Sequence, residues 1–147
     1  MEKKYTTVKE GNMLRIIALK RLGEFDQVVK GDKGGLIEKE ENLSQEGDCW
    51  VFEDAQVSGN AQVSGNAFVL ESARVSGNAK VYGEATIFGC ARVFDCAEVY
   101  GKALVFDNAK VCDDAKVYGK ANVGGNVLIG EGSVISGKAK IVGGTKK

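Results

Sequence analysis

A period of six residues dominates this chain from Cys49 onward and limits the folds that the chain can adopt. Sixteen consecutive hexads fill residues 49–144 without an insertion; AQVSGN at 55–60 and AKVYGE at 79–84 are two of them. Position 1 is nearly always alanine, position 3 is valine or isoleucine, and position 5 is glycine, aspartate or glutamate. A period of six drifts against the 3.6 residues of a helical turn, so a helix does not explain the repeat.

Each hexad fits one short strand followed by one corner. Positions 1 and 3 point to one side of a strand and positions 2 and 4 to the other, because strand side chains alternate. Glycine, asparagine and aspartate at positions 5 and 6 tolerate the positive φ of a tight turn. We therefore expect alanine and valine to face inward, and successive coils to template one another.

The repeat resembles that of the hexapeptide-repeat family of left-handed parallel β-helices. The resemblance covers residues 49–144 and implies that three hexads form one triangular, left-handed coil of eighteen residues. Sixteen hexads would give a little over five coils, or roughly 25 Å of prism at ~4.8 Å per coil. We predict an all-β protein, a left-handed parallel β-helix with an N-terminal β-rich cap.

Residues 1–48 do not follow the period, and we predict that they cap the β-helix formed by residues 49–147. MLRIIALKRL (13–22) and FDQVVKGDKGGLI (25–37) are apolar enough to fold, and the second indicates strand, turn, strand. A cap would protect the backbone edge of the first coil. The run GDKGGLIEKEENLSQEG (31–47) resembles the leader of small hexapeptide-repeat proteins of phages and prophages.

Stacking at eighteen residues would sort the outward side chains into three faces. The apolar face carries Trp50, Phe52, Phe68, Leu70, Thr86, Phe88, Leu104 and Phe106, and all of these except Thr86 are candidate interface residues. An apolar patch of this size is rarely left open to water. Either the N-terminal segment folds over it, or a second subunit covers it in a dimer or trimer, or a foreign protein binds it.

The tyrosine face carries Tyr82, Tyr100 and Tyr118, with Lys80, Glu98 and Lys116 beside them. One bordering corner holds Lys102, Lys120 and Lys138, and the other holds Asp95, Asp113, Asp114 and Glu131. The alternatives are a solvated aromatic ladder and a recognition strip in which tyrosines anchor a partner and charges set the register. The candidate partner-binding residues are Tyr82, Tyr100, Tyr118, Lys102, Lys120, Asp95 and Asp113.

The third, basic face carries Arg74, Arg92 and Lys110, which are most simply a solvated surface. Its Cys112 lies outward above Phe94 and is expected to be the most reactive of the four thiols. Cys49 is expected to point inward, and Cys90 and Cys96 to sit on different corners.

The family resemblance also implies acyltransferases that use acyl-CoA with a histidine base, and γ-class carbonic anhydrases that bind zinc through three histidines. This sequence contains no histidine, so we predict no catalytic residue, no metal ligand and no cofactor. A carboxylate base is the remaining route to catalysis, with Asp113 or Glu131 as the first to test. The lysine plus arginine count equals the aspartate plus glutamate count, which disfavours nucleic acid and membrane as partners.

These observations favour a non-enzymatic binding scaffold that acts on another protein and forms homo-oligomers through the apolar face. By analogy with the phage-like leader, the partner would be a host defence protein, and the chain would act in the host cytoplasm. The start of the chain lacks the apolar stretch of a secretory signal, which also favours the cytoplasm. The alternatives are an acyl-CoA-dependent transferase and an oligomeric sponge for a small ligand such as a nucleotide.

Overall fold

A computed structural model describes residues 3–22, 28–52 and 54–142 of the chain, and these form a three-sided β-solenoid of about six coils. Strands of consecutive coils pair in parallel with a register of eighteen residues; Phe68 pairs with Trp50 above it, and Thr86 pairs with Phe68. The stacking predicted from the repeat is therefore confirmed. The left-handed winding stays a prediction from the resemblance.

Three sheets run along the prism, one for each face, and the strands of the stacked coils within them are parallel. The apolar face consists of β4 Trp50–Val51, β7 Phe68–Val69, β10 Thr86–Ile87, β13 Leu104–Val105, β16 Asn122–Val123 and β19 Lys140–Ile141. The tyrosine face consists of β6 Gln62–Val63, β9 Lys80–Val81, β12 Glu98–Val99, β15 Lys116–Val117 and β18 Val134–Ile135. The basic face consists of β5 Gln56–Val57, β8 Arg74–Val75, β11 Arg92–Val93, β14 Lys110–Val111 and β17 Leu128–Ile129.

The core is the stack of inward alanines and valines. From Ala55 to Val123 these side chains are at most 1% exposed. Position 1 lies next to a corner, where the triangle leaves room for little more than a methyl group, and position 3 fills the axis of the prism. Because burying one valine contributes roughly 1.5–3 kcal/mol, the column of valines is the main apolar contribution to stability.

The corners have the left-handed backbone conformation that the glycine-rich positions predict. Gly101 has φ of 68°, and at equivalent positions Asp107 has 56° and Glu131 has 51°. Where aspartate replaces glycine, its carboxylate accepts a hydrogen bond from the next coil: the Gly125 N–H donates to Asp107 Oδ2 at 3.0 Å. That bond offsets part of the cost of placing a side chain in this region.

The N-terminal segment forms an antiparallel hairpin of β1 Tyr5–Glu10 and β2 Met13–Ala18, followed by β3 Lys33–Ile37 and a 3-10 helix at Glu40–Asn42. β3 pairs in parallel with β5, and Leu43 forms a parallel bridge with Val63. Parallel stacking therefore begins at Leu36, inside the segment predicted as the cap. The later strand of the predicted strand–turn–strand is β3; residues 23–27 lie outside the described residues.

Polar side chains of this segment hold it against the first coil. The buried Lys4 ammonium donates to the Cys49 carbonyl at 2.7 Å and to the Gly47 carbonyl at 3.3 Å. Burial lowers the pKa of Lys4 and raises that of the neighbouring Cys49 thiol, which lies 3.1 Å away. Cys49 points inward, as predicted.

Tyr5 covers the apolar face at its first coil. Its ring meets Trp50 edge-on at a centroid distance of 6.3 Å, and its hydroxyl donates to the Leu43 carbonyl at 2.6 Å. Burial raises the pKa of Tyr5 far above its usual value. Trp50 is 1% exposed, so its prediction as an interface residue is wrong: it lies on the expected face but is enclosed within the chain itself.

No helix in the described part of the chain has the length and apolar character to cross a membrane.

Candidate functional site: two aromatic faces and a thiol–carboxylate cluster

The apolar face carries two pairs of aromatic side chains in contact. Phe52 and Phe68 meet edge-on at 5.5 Å, and Phe88 and Phe106 stack at 5.2 Å with an interplanar angle of 13°. A Cβ at Gly124 would clash with the Phe106 ring, so the glycine lets that ring lie flat against the prism. The side chains predicted for this strip thus lie along one face of the prism.

The N-terminal segment covers only the beginning of this strip among the described residues. Beyond Trp50, each candidate interface side chain stays partly exposed: Phe52, Phe68, Leu70, Phe88, Leu104 and Phe106. The chain therefore encloses Trp50 in the first coil and leaves Phe52 and the following three coils partly open, and a second subunit as their cover stays a prediction.

The tyrosine face is a regular ladder. Tyr82 stacks on Tyr100 at 4.8 Å with an interplanar angle of 3°, and Tyr100 stacks on Tyr118 at 4.9 Å and 5°. The Tyr82 hydroxyl donates to Glu98 Oε1 at 3.2 Å. Partial burial, and then the charge of Glu98, raises the pKa of Tyr82.

The charged corners border this face on opposite sides, as predicted. Lys102 and Lys120 are exposed, and neither takes part in an ion pair within the described residues. On the other border, Asp95 Oδ2 accepts from the Asp113 N–H at 3.2 Å, and Asp113 Oδ2 accepts from the Glu131 N–H at 2.9 Å. One oxygen of each aspartate therefore links neighbouring coils.

Cys112 contradicts the prediction of a reactive outward thiol. It lies at the expected position but is only 7% exposed. Burial, followed by the charges of Asp113 and Asp95, raises the pKa of the thiol, which lowers its thiolate fraction. Its Sγ and one oxygen of each aspartate lie within 4.8 Å of one another.

Sequence reasoning missed this cluster because it assigned Cys112 to a face and the aspartates to a corner. Two signals were available in the sequence. Cys112 and Asp113 are adjacent, and Asp95 precedes Asp113 by one full coil of eighteen residues.

The basic face stacks Arg92 between Arg74 and Lys110 in register. Gln56, Ser58, Ser76 and Phe94 complete a shallow groove with the two arginines. All three cationic side chains are exposed, and no ion pair within the described residues involves them, which fits the solvated surface expected from the sequence.

Comparison with known proteins bears on the repeat. Residues 55–71 and 61–77 match the family described as the YdcK beta solenoid repeat. Over 65 residues the chain is 34% identical to a protein of Escherichia coli (strain K12) described as an uncharacterized acetyltransferase, YdcK. That match covers 40% of this chain and 19% of the length of that relative, so the chain corresponds to only a small part of it. The likeness to phage and prophage proteins stays a prediction.

Proposed function

On the premise that this chain is a hexapeptide-repeat β-solenoid, we propose that it is a non-enzymatic scaffold working through protein–protein contacts. The apolar face is its main interface, and the tyrosine face is a second recognition surface. The observation that carries the proposal is the open part of the apolar face, where six large apolar side chains stay partly exposed after Tyr5 has enclosed Trp50.

The chemistry of this strip suits a protein partner. Aromatic side chains are enriched at the centres of interfaces, and flat apolar faces of this kind are usually covered. A second copy of the chain is the simplest cover, because it presents the same strip at the same concentration. The charged corners would then remain outside the contact and set the register of a further partner on the tyrosine face.

Sedimentation velocity over a concentration series tests the apolar face. Phe88 lies in the middle of the open strip, so Phe88→Lys should shift the protein to the monomer. Arg92→Ala, on the basic face, is the matched control and should sediment like the unmodified protein. A wild-type chain that is monomeric throughout, and that retains no partner from a bacterial lysate, would contradict the scaffold.

Repeating the lysate capture with Tyr100→Ala tests the tyrosine face. Tyr100 is the middle rung of the ladder, in contact with Tyr82 and Tyr118. Loss of the captured protein with Tyr100→Ala, but not with Arg92→Ala, would support a recognition strip. An unchanged set of captured proteins would remove this face from the proposal.

An acyl-CoA-dependent transferase is the second candidate, favoured by the relative that is described as an acetyltransferase. The sequence has no histidine to act as base, and one oxygen of Asp113, the carboxylate first considered instead, already accepts from the Glu131 N–H. Calorimetric titration with acetyl-CoA distinguishes the candidates. Saturable, stoichiometric binding would replace the scaffold with the transferase.

Two more specific hypotheses, a host defence protein as partner and a sponge for a nucleotide, depend on different observations. A host defence protein as partner rests on the phage-like leader alone, and identification of the captured protein would test it. A sponge for a small ligand such as a nucleotide would use grooves between subunits of an oligomer, where tyrosines and lysines of different copies meet, and a chain that is monomeric throughout the sedimentation series would exclude it.

A further inference from the structure

Three side chains with metal-binding atoms meet where the basic face turns into the acidic corner. Cys112 Sγ and one carboxylate oxygen each of Asp95 and Asp113 lie within 4.8 Å of one another. A tetrahedral zinc site with bonds of about 2.0–2.3 Å has ligand-to-ligand edges of roughly 3.5 Å. The aspartates are exposed, so rotation of their side chains would shorten the separations, which are at most 4.8 Å, to the length of those edges.

The thiol is the unusual member of this cluster. Cys112 occupies an outward position yet is only 7% exposed, and its Sγ has no hydrogen-bond partner among the described residues. The other buried thiol, Cys49, contacts the Lys4 ammonium at 3.1 Å and nearby carbonyls. Cys112 is therefore a buried, unpartnered thiol directed at two carboxylates, and a cation shared with those carboxylates would satisfy all three groups.

The corner beside the cluster is acidic. Asp95, Asp113, Asp114 and Glu131 are all exposed on this corner, and within the described residues no lysine or arginine forms an ion pair with them. Like charges stacked one coil apart repel. Asp95 and Asp113 each use Oδ2 to accept a backbone N–H, and each carboxylate has further lone pairs that a ligand can use.

Gly130 leaves room beside the cluster. The equivalent outward position in earlier coils is occupied by Ser58, Ser76, Phe94 and Cys112 itself. Gly130 is not in the left-handed region, so its backbone does not require glycine. A Cβ there would lie 3.2 Å from Cys112 Sγ and 2.7 Å from Asp113 Oδ2, the oxygen that also accepts the Glu131 N–H.

We propose that Cys112, Asp95 and Asp113 bind one zinc-class divalent cation, with water completing the coordination. A thiolate ligand selects Zn²⁺ or Co²⁺ over Mg²⁺ and Ca²⁺, which prefer oxygen ligands. Because the ligands come from two consecutive coils, the ion would tie β11 and β14 together beside their corner. Asp95 and Asp113 also border the tyrosine face, but the site does not rest on the proposed scaffold function and stands whether or not a partner is found.

Titration of the reduced full-length chain with Co²⁺ tests the site, because thiolate ligation gives a charge-transfer absorption band that carboxylates alone do not. We expect one equivalent of Co²⁺ to produce the band and Zn²⁺ to displace it. Cys112→Ser should abolish the band, and Cys96→Ser, which removes an exposed thiol at the same corner, should leave it unchanged. Asp113→Asn should weaken binding at least about tenfold.

Gly130→Ala is a second test that keeps every ligand. Its Cβ would enter the space between the thiol and the Asp113 carboxylate, so the affinity for Co²⁺ should again fall at least about tenfold. Far-UV circular dichroism checks that each variant folds, and if Cys112→Ser does not, Gly130→Ala and Asp113→Asn decide the question. Absence of a thiolate band, a band that survives Cys112→Ser, or one lost with Cys96→Ser would overturn the proposal.

Discussion

Asn42 offers the sharpest test of how the N-terminal segment is joined to the coils. Its side chain is fully buried, and it uses all of its hydrogen-bonding capacity. Oδ1 accepts from the Glu38 and Lys39 N–H groups, both at 2.9 Å. Nδ2 donates to the Ala61 carbonyl at 2.8 Å and to the Gly59 carbonyl at 3.2 Å.

Asn42→Ala removes these four hydrogen bonds at once. At roughly 0.5–1.5 kcal/mol each, with water able to reach some of the freed groups, we expect the free energy of unfolding to fall by about 3 kcal/mol. Asn60→Ala is the matched control: its side chain is exposed and accepts one bond from Lys39 Nζ, so the expected loss is below about 1 kcal/mol.

Urea unfolding followed by circular dichroism measures both variants. With a slope of about 1.5 kcal/mol/M, Asn42→Ala should lower the midpoint by about 2 M. Asn42→Asp should be at least as harmful at neutral pH, because an oxygen then faces the Ala61 and Gly59 carbonyl oxygens. The reasoning fails if Asn42→Ala and Asn60→Ala unfold at the same urea concentration.

Three further predictions concern the core, the apolar face and the thiols. Val99→Ala should lower the free energy of unfolding by about 2 kcal/mol, because two carbon atoms are lost from an enclosed column; a urea-measured loss below about 0.5 kcal/mol would contradict this. Gly124→Ala should destabilise by about 1–2 kcal/mol by displacing the Phe106 ring, whereas a more stable variant would show that the ring moves freely. In the folded protein a disulfide reagent should label the exposed Cys90 and Cys96 quickly and the buried Cys49 and Cys112 slowly. Equal rates for all four thiols would contradict this prediction.

The coils could be predicted because each hexad contains the residues that determine its strand and its corner. Valine at position 3 defines the inward side, and glycine or aspartate at position 5 permits the corner, so neighbours eighteen residues apart follow by counting. Tyr82, Tyr100 and Tyr118 could be aligned from the sequence alone, and their stacking is confirmed.

The contacts outside the period could not be predicted in this way. Tyr5 encloses Trp50 from 45 positions away along the chain, and nothing periodic connects the two. Lys4 and Asn42 are polar residues in an irregular segment, where burial depends on which carbonyls the fold places nearby. The space beside Cys112 Sγ and the Asp113 carboxylate depends on a glycine one coil later, a pairwise effect that a face-by-face classification does not represent.

Because the coils stack at eighteen residues, the face on which a side chain lies depends on the number of residues that precede it in the repeat. Deleting residues 97–102 would preserve the pattern of alanine and valine, but it would turn every later hexad by one side of the triangle. Phe106 would then lie beneath Tyr82, and Tyr118 beneath Phe94. Deleting residues 97–114 would instead bring Tyr118 directly under Tyr82. Insertions and deletions that keep the surface pattern must therefore come in whole coils, even though the hydrophobic core would accept single hexads.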